Sequence, residues 1–155
     1  AHYRDLPASA LPEQALAGGG QLKLIAGRIE HNGQSVTAPI SGGKTDPLYI
    51  DVQLNANEHV SLPIPTTHRL LGYVYEGSVA VQGEQRTAVL EKGRLGRFGE
   101  GDRVSLQAGS AGARLLLLAG RPLGEPIVQY GPFVMNSEAE IHQAIRDYQL
   151  GRLTD

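Results

Sequence analysis

The sequence predicts an all-β domain, a sandwich or a barrel, followed by one C-terminal helix. Its 20 Gly and 9 Pro lie between short apolar stretches, which is typical of strands joined by tight turns. The apolar stretches mostly recur every eight to twelve residues, as in sandwiches and barrels. We expect strands at 22–26, 35–40, 48–54, 59–64, 70–75, 78–81, 87–90, 95–98, 103–106, 113–118 and 126–130.

The pattern within individual strands predicts which side of each is buried. Leu48, Ile50, Val52 and Leu54 alternate with more polar residues, so their side chains share one face of a pleated strand. That face is expected to be core. Residues 113–118 are apolar almost throughout, which indicates a central strand covered on both sides.

One segment, from about Glu138 to about Leu150, is predicted to be helical. Ser137 followed by Glu140 forms a capping box, and Ile141, Ala144, Ile145 and Tyr148 recur at helical spacing. Gly151 suits the left-handed position just past a helix end.

The first 20 residues, rich in Pro and Gly, are predicted to be a linker or entry segment. Residues 21–155 are predicted to be the folded domain. A chain of this length can bury a core without disulfides or metal.

The composition argues against several classes of function. There are 14 Lys and Arg against 16 Asp and Glu, and the basic residues are scattered, so direct nucleic-acid binding is not expected. The longest apolar run, 115–119, is far shorter than the roughly 20 residues of a membrane span. The absence of cysteine excludes thiol chemistry and fits a cytoplasmic location.

The five histidines include no pair at His-x-His or His-x-x-x-His spacing, so a local metal clamp is not expected. His68 is the most interesting, because it precedes the apolar strand 70–75, where its side chain could face a barrel mouth. A hydrogen-bonded structural role is the simpler interpretation. We predict no catalytic, cofactor-binding or metal-binding residue in this chain.

The segment EPIVQYGPFVMN (125–136), followed by SEAEIHQAIRDYQLGR (137–152), strongly resembles the C-terminal end of pirin-family proteins. The resemblance extends back through LIAG (24–27), YIDV (49–52) and YVYEG (73–77), and YRDLP (3–7) resembles an inter-domain linker. Pirins are bicupins, so the resemblance implies a cupin-type jelly-roll β-barrel or sandwich with one C-terminal helix. It also implies that iron belongs to an N-terminal cupin, held by three histidines and a glutamate.

The general cupin spacing can be laid on this sequence without gaps. Its first pattern, ending at Gly77, places Pro63 and Pro65 at the two histidine positions and Leu70 at the glutamate position. Its second pattern, laid on Gly101 and Gly109, places Gln107 at the proline position, Gly112 at the histidine position and Leu116 at the asparagine position. An iron centre needs imidazole and carboxylate donors, so this domain is expected to be metal-free.

We therefore interpret the chain as the structural and interaction half of a pirin-like protein, bracing an iron-binding N-terminal cupin. Phe133, Val134 and Met135 are candidate interface residues, with that N-terminal domain or a second copy of this chain as the partner. The alternative interpretation of the same residues is that they lead into the helix and fill the core.

Two other functions remain open. The parent could resemble quercetin 2,3-dioxygenases, which open a flavonol ring with oxygen, with its catalytic residues in the half that this chain lacks. The domain could instead bind a small ligand by itself, in a pocket lined by His68, Tyr73 or Tyr75. Small barrels are also commonly filled by their own side chains.

Overall fold

A computed structural model describes residues 5–83 and 87–153. The chain forms two compact units, Leu6–Pro122 and a second unit from Leu123 onward. We call them the jelly-roll unit and the C-terminal unit.

The described residues form twelve strands, one turn of 3-10 helix at Ala8–Ala10 and one α-helix, α1, at Glu138–Gln149. The strands are β1 Glu13–Ala15, β2 Gln21–Ala26, β3 Arg28–His31, β4 Gln34–Thr37, β5 Leu48–Leu54, β6 His59–Pro63, β7 Arg69–Gln82, β8 Thr87–Glu91, β9 Leu95–Arg97, β10 Arg103–Gly120, β11 Val128–Tyr130 and β12 Phe133–Met135.

Two long strands, β7 and β10, run through both layers of a sandwich. The first half of β10 pairs with β6, and the second half pairs with β5. The two halves of β7 pair with β9 and β8 in the same way. One layer is therefore β1-β2-β5-β10-β7-β9 and the other is β6-β10-β7-β8. The sheets do not close into a barrel, so the sandwich form of the predicted jelly roll is confirmed.

The bend between the layers lies where β7 and β10 change register. Ala108 pairs with Val79, but the next pair is Ala113 with Gly77, so β10 carries extra residues there. Gly77 has a φ of 70° and Gly112 a φ of 81°, a region that suits glycine. A Cβ on Gly77 would collide with the carbonyl oxygen of Gly112. The bend therefore requires close backbone contact.

The core lies between the two layers. In β5 the side chains at 48, 50, 52 and 54 are all buried while those between them are half-buried, as the alternation predicted. Leu115 and Leu117 of β10 are fully buried, whereas Leu116 and Leu118 face the other side of the layer. β10 is a central strand, but its outer face is only partly covered, since Leu116 and Leu118 remain half-buried.

The predicted entry segment contains ordered structure. Glu13–Ala15 pair with β2, and Leu16 is buried in the core. The carboxylate of Glu58, itself buried, accepts backbone N–H bonds from Gly20 at 3.2 Å and from Asn55 at 2.8 Å. This side chain fastens the segment to the turn between β5 and β6. A three-residue strand has too little alternation to be recognised in a sequence.

The hairpin of β3 and β4 was only half predicted. The expected strand at 35–40 corresponds to β4, whereas β3 was missed. Asn32 and Gly33 between them both have positive φ, 51° and 75°, as tight two-residue hairpin turns require. The Asn-Gly pair is a sequence signal that could have located β3.

In the C-terminal unit, α1 packs against the hairpin of β11 and β12. One half of the predicted capping box is present, since the Glu140 N–H donates to Ser137 Oγ at 3.3 Å. The Glu140 carboxylate accepts from the Ser137 hydroxyl at 2.9 Å and from the Asn136 N–H at 3.1 Å. Gly151 has a φ of 68°, as a helix-ending residue should. The helix prediction is confirmed, with its last residue at Gln149.

Replacing Gly77 should damage the bend specifically. We expect Gly77→Ala to lower the free energy of unfolding by about 2–4 kcal/mol, from left-handed strain and the collision with Gly112. Gly93→Ala is the matched control, because Gly93 has a φ of 80° but nothing within 4 Å of an added Cβ. It should cost only about 1–2 kcal/mol. Equal losses in urea denaturation would show that close contact at the bend is unimportant.

Candidate functional site

The inner side of the sandwich is hydrocarbon where the first cupin pattern would place metal ligands. Along β6 and just after it, Val60, Leu62 and Ile64 are buried. Pro63 is half-buried and Pro65 is exposed, so neither side chain faces the core. The inward-facing pair is Leu62 and Ile64, and alternation with Val60 could have set the register. Leu70, at the glutamate position, is buried at 6% exposure.

The residues that the second cupin pattern selects do not come together with those of the first. Leu70 pairs with Ala119, whereas Gly112 adjoins the pair of Ala113 with Gly77 at the other end of the layer. Gln107 is exposed, and Leu116 lies on the outer side of β10. These positions therefore do not converge with Leu70. The inward-facing residues in the first half of β10 are Val104 and Leu106, both buried.

His68 is a structural residue that also borders the interior. Its side chain is 2% exposed, and Nε2 lies 2.7 Å from the carbonyl oxygen of Asp46. A carbonyl can only accept, so Nε2 carries the proton. Nδ1 lies 3.2 Å from Thr67 Oγ1, which can donate to it. The imidazole thus fastens the loop before β5.

The structure does not bring Tyr73 and Tyr75 together with His68. Leu70 and Val74 of β7 face the core, and Tyr73 and Tyr75 lie on the opposite face. Tyr75 is an unpaired bulge residue between the register pairs of Val74 and Glu76. Its hydroxyl donates to Asp51 Oδ1 at 2.8 Å.

The pKa of Tyr75 is raised to about 12, because burial disfavours the phenolate and the hydrogen bond to the Asp51 carboxylate favours the neutral phenol. Tyr75 is therefore a structural link across the outer face of the sheet.

A cleft of about 610 Å³ opens at the end of the sandwich next to His68. We call it the end cleft. Its apolar lining comes from both layers: Ile64, Leu70, Val81, Ala88, Phe98 and Val104. The β9–β10 loop, residues 99–102, and the flanking Arg97 and Arg103 supply polar and charged groups at its mouth.

Of the candidate interface residues, Val134 is 57% exposed, while Phe133 and Met135 are half-buried. The ring of Phe133 meets that of Tyr148 edge to face, with centroids 6.5 Å apart. Phe133 therefore packs on the helix, as the core-filling interpretation expects, and Val134 presents the exposed surface of this strand.

Within residues 5–83 and 87–153, no three His, Asp or Glu side chains are grouped so that they could hold a metal ion. Across the same residues, no helix is long and apolar enough to cross a membrane.

Two bent sheets around one apolar core, with a capped helix after them, define a domain of the cupin class. The family model of the pirin C-terminal cupin domain matches residues 49–154. The chain belongs to the pirin family, and the predicted resemblance is confirmed.

The relatives agree with this assignment. The chain is 46% identical to a Pseudomonas aeruginosa protein with the provisional name quercetin 2,3-dioxygenase, over 99% of the chain and 53% of that protein. It is 34% identical to Arabidopsis thaliana Pirin-1, over 95% of the chain and 50% of the relative.

Among solved structures, quercetin 2,3-dioxygenase from Acinetobacter baumannii matches with a TM-score of 0.82 and 33% identity, over 99% of this chain and 51% of that one. The chain therefore spans about half the length of the curated relatives it matches.

Sequence reasoning missed the end cleft. Its lining residues come from six separate stretches of chain, and only tertiary packing brings them together. The available signal was the loop GEGD (99–102) between two strands, because small residues in a loop leave room beside it.

The hydrogen bond of Tyr75 predicts an alkaline loss of stability. The pKa is about 12 in the fold and about 10 in the unfolded chain. The stabilisation is therefore complete below about pH 10 and is lost as the pH rises towards about 12. We expect Tyr75→Phe to lose less stability than the parent chain between about pH 8 and about pH 11 in urea denaturation.

Tyr73→Phe, on the same strand face, is the control and should keep the alkaline decline of the parent chain. An identical decline in Tyr75→Phe would show that the phenol of Tyr75 is not its source.

Proposed function

We propose that this domain is the metal-free half of a two-cupin protein and that it braces an iron-binding N-terminal cupin. The single observation that carries the proposal is the hydrocarbon character of the inward-facing positions in this part of the sandwich, Leu62, Ile64 and Leu70. Imidazole and carboxylate groups bind iron, and alkyl side chains do not. The side chains present at these positions therefore do not fit an iron site, although the domain keeps the cupin fold.

The length of the relatives supports the second part of the proposal. A matching protein is about twice as long as this chain, which leaves room for another domain of similar size. Since the matched model is that of the C-terminal cupin domain, the remaining half is expected to precede it.

Metal analysis tests the division of labour. We expect this chain, produced in iron-supplemented medium, to contain less than about 0.1 equivalent of iron, because it lacks the donors that the metal requires. The full-length product of the reading frame that encodes it should contain about one equivalent. Stoichiometric iron in this chain alone would contradict the metal-free assignment. A full-length product without iron would contradict the bracing role.

We further propose that the exposed side of β12 contributes to the contact with the N-terminal half. Val134 is 57% exposed. It pairs with Gln129, on the face of the hairpin opposite to Phe133, whose ring packs on α1. An exposed apolar side chain on the face that α1 does not cover is available to a partner surface.

A charge at Val134 should weaken that contact. In the full-length protein, we expect Val134→Asp to raise hydrogen exchange in β11 and β12 by at least about tenfold, through loss of roughly 1.4 kcal/mol or more of docking energy. Val89→Asp is the control, because Val89 is 62% exposed on β8 in the jelly-roll unit. Unchanged exchange in Val134→Asp would exclude this surface.

The alternative partner, a second copy of this chain, predicts a different result: the isolated chain would sediment as a dimer, and Val134→Asp would make it a monomer.

A second candidate function is membership of a quercetin 2,3-dioxygenase-like enzyme. The names of the Pseudomonas and Acinetobacter relatives favour it. In that case the catalytic residues would lie in the N-terminal half of the full-length protein, and this domain would have a structural role. Oxygen uptake by the iron-loaded full-length protein in the presence of quercetin would support the enzymatic assignment. If that preparation takes up no oxygen, the enzymatic assignment is wrong and only the bracing role remains.

A further inference from the structure

We propose that the end cleft is a binding site for a small aromatic carboxylate. The site lies wholly within the jelly-roll unit, and the proposal does not depend on an N-terminal partner. Its volume of about 610 Å³ falls within the range of about 300–1,000 Å³ that is common for small-molecule pockets.

The floor of the end cleft suits a flat apolar molecule. Ile64, Leu70 and Val104 line it with buried aliphatic groups. The ring of Phe98 lies over Gly72, since an added Cβ there would come within 2.8 Å of Phe98 Cε2. This packing fixes the ring beside the opening. An aromatic ligand can pack against such a ring with a favourable offset or edge contact.

The end cleft is bordered by residues of both layers and does not result only from small side chains in one strand. Val81 and Ala88 are cross-strand partners in β7 and β8, and both border the end cleft. They face Phe98 and Leu70 from the other layer. The two layers therefore stand apart at this end, whereas farther in they pack through fully buried Leu106, Leu115 and Leu117.

The charges at the mouth favour an anion. Glu100 is paired with Arg69 at 3.0 Å, which balances its charge. Among the other described charged residues that line the end cleft, two are cationic, Arg97 and Arg103, and one is a carboxylate, Asp102. Arg103 Nη1 also lies 3.4 Å from Ser61 Oγ. Guanidinium groups recognise carboxylates well because they can donate two parallel hydrogen bonds.

The His68 side chain is held by two contacts, with Nε2 2.7 Å from the carbonyl oxygen of Asp46 and Nδ1 3.2 Å from Thr67 Oγ1. Its role is to hold the wall of the end cleft in place. The combination of an aromatic and aliphatic floor with a cationic rim points to an aryl carboxylate.

The test uses 2-naphthoate as the probe and follows the backbone amide signals of the protein by NMR. We expect saturable shifts at Gly99, Gly101 and Asp102, with a dissociation constant at or below about 1 mM. Saturable binding with these shifts supports the proposal. Absence of saturation up to several times that concentration overturns it.

A matched pair of variants locates the site. Ala88 lines the end cleft and is exposed, so Ala88→Trp should fill the space without disturbing the core, and it should weaken 2-naphthoate binding at least tenfold. Val89→Trp places the same side chain at the next residue of β8, whose side chain points to the other face, and it should leave binding within twofold. Equal affinity in the two variants would place the probe elsewhere and overturn the proposal.

The rim is tested with the double variant Arg97→Gln and Arg103→Gln. It should weaken 2-naphthoate at least fivefold and leave neutral 2-methoxynaphthalene within twofold of its original affinity. If the affinities for both probes fall equally, or neither affinity changes, the proposed preference of the end cleft for a carboxylate is wrong. Iron content plays no part in these measurements, so their failure is distinguishable from failure of the bracing role.

Discussion

The architecture depends on the close approach of two backbones where β7 and β10 bend. Each strand belongs to both layers, so the sandwich exists only if both can change direction at the same place. Gly77 permits this, because a Cβ there would collide with the carbonyl oxygen of Gly112, and a Cβ on Gly112 would come within 2.8 Å of the carbonyl oxygen of Leu54. Once the bend is fixed, the inward faces of the two layers are brought opposite each other, and the apolar core follows.

That core explains why a cupin domain can keep its fold without binding a metal ion. The free energy of burial comes from hydrocarbon contacts, and the inward positions at Leu62, Ile64 and Leu70 add to it. Ligand side chains at these positions would be polar and would require a metal or other partners to be tolerated in the interior. A domain without donors there folds on packing alone and is suited to a structural role beside an iron-bearing domain.

The peripheral contacts are made by a few polar side chains. Glu58 accepts backbone bonds that hold the N-terminal segment, and His68 holds the loop before β5. Both are buried and hydrogen-bonded, which is the condition under which polar groups are tolerated inside proteins. His68 also borders the end cleft, so the same contact that stabilises the fold shapes the opening of the interior.

The sequence by itself determined most of the strands, the C-terminal helix and the pirin family, because alternation, capping and turn residues are local signals. It missed the short strands β1, β3 and β12. It did not join 70–75 with 78–81, or 103–106 with 113–118, into two long strands, since the bend depends on contact between distant glycines. It placed the two histidine positions of the cupin pattern at Pro63 and Pro65, whereas the buried side chains of this stretch are Leu62 and Ile64. Only the tertiary structure decided which side chains share a face and that Tyr73 and Tyr75 point away from His68. The physical reason is that local patterns encode elements, whereas a site is made by residues far apart in the chain.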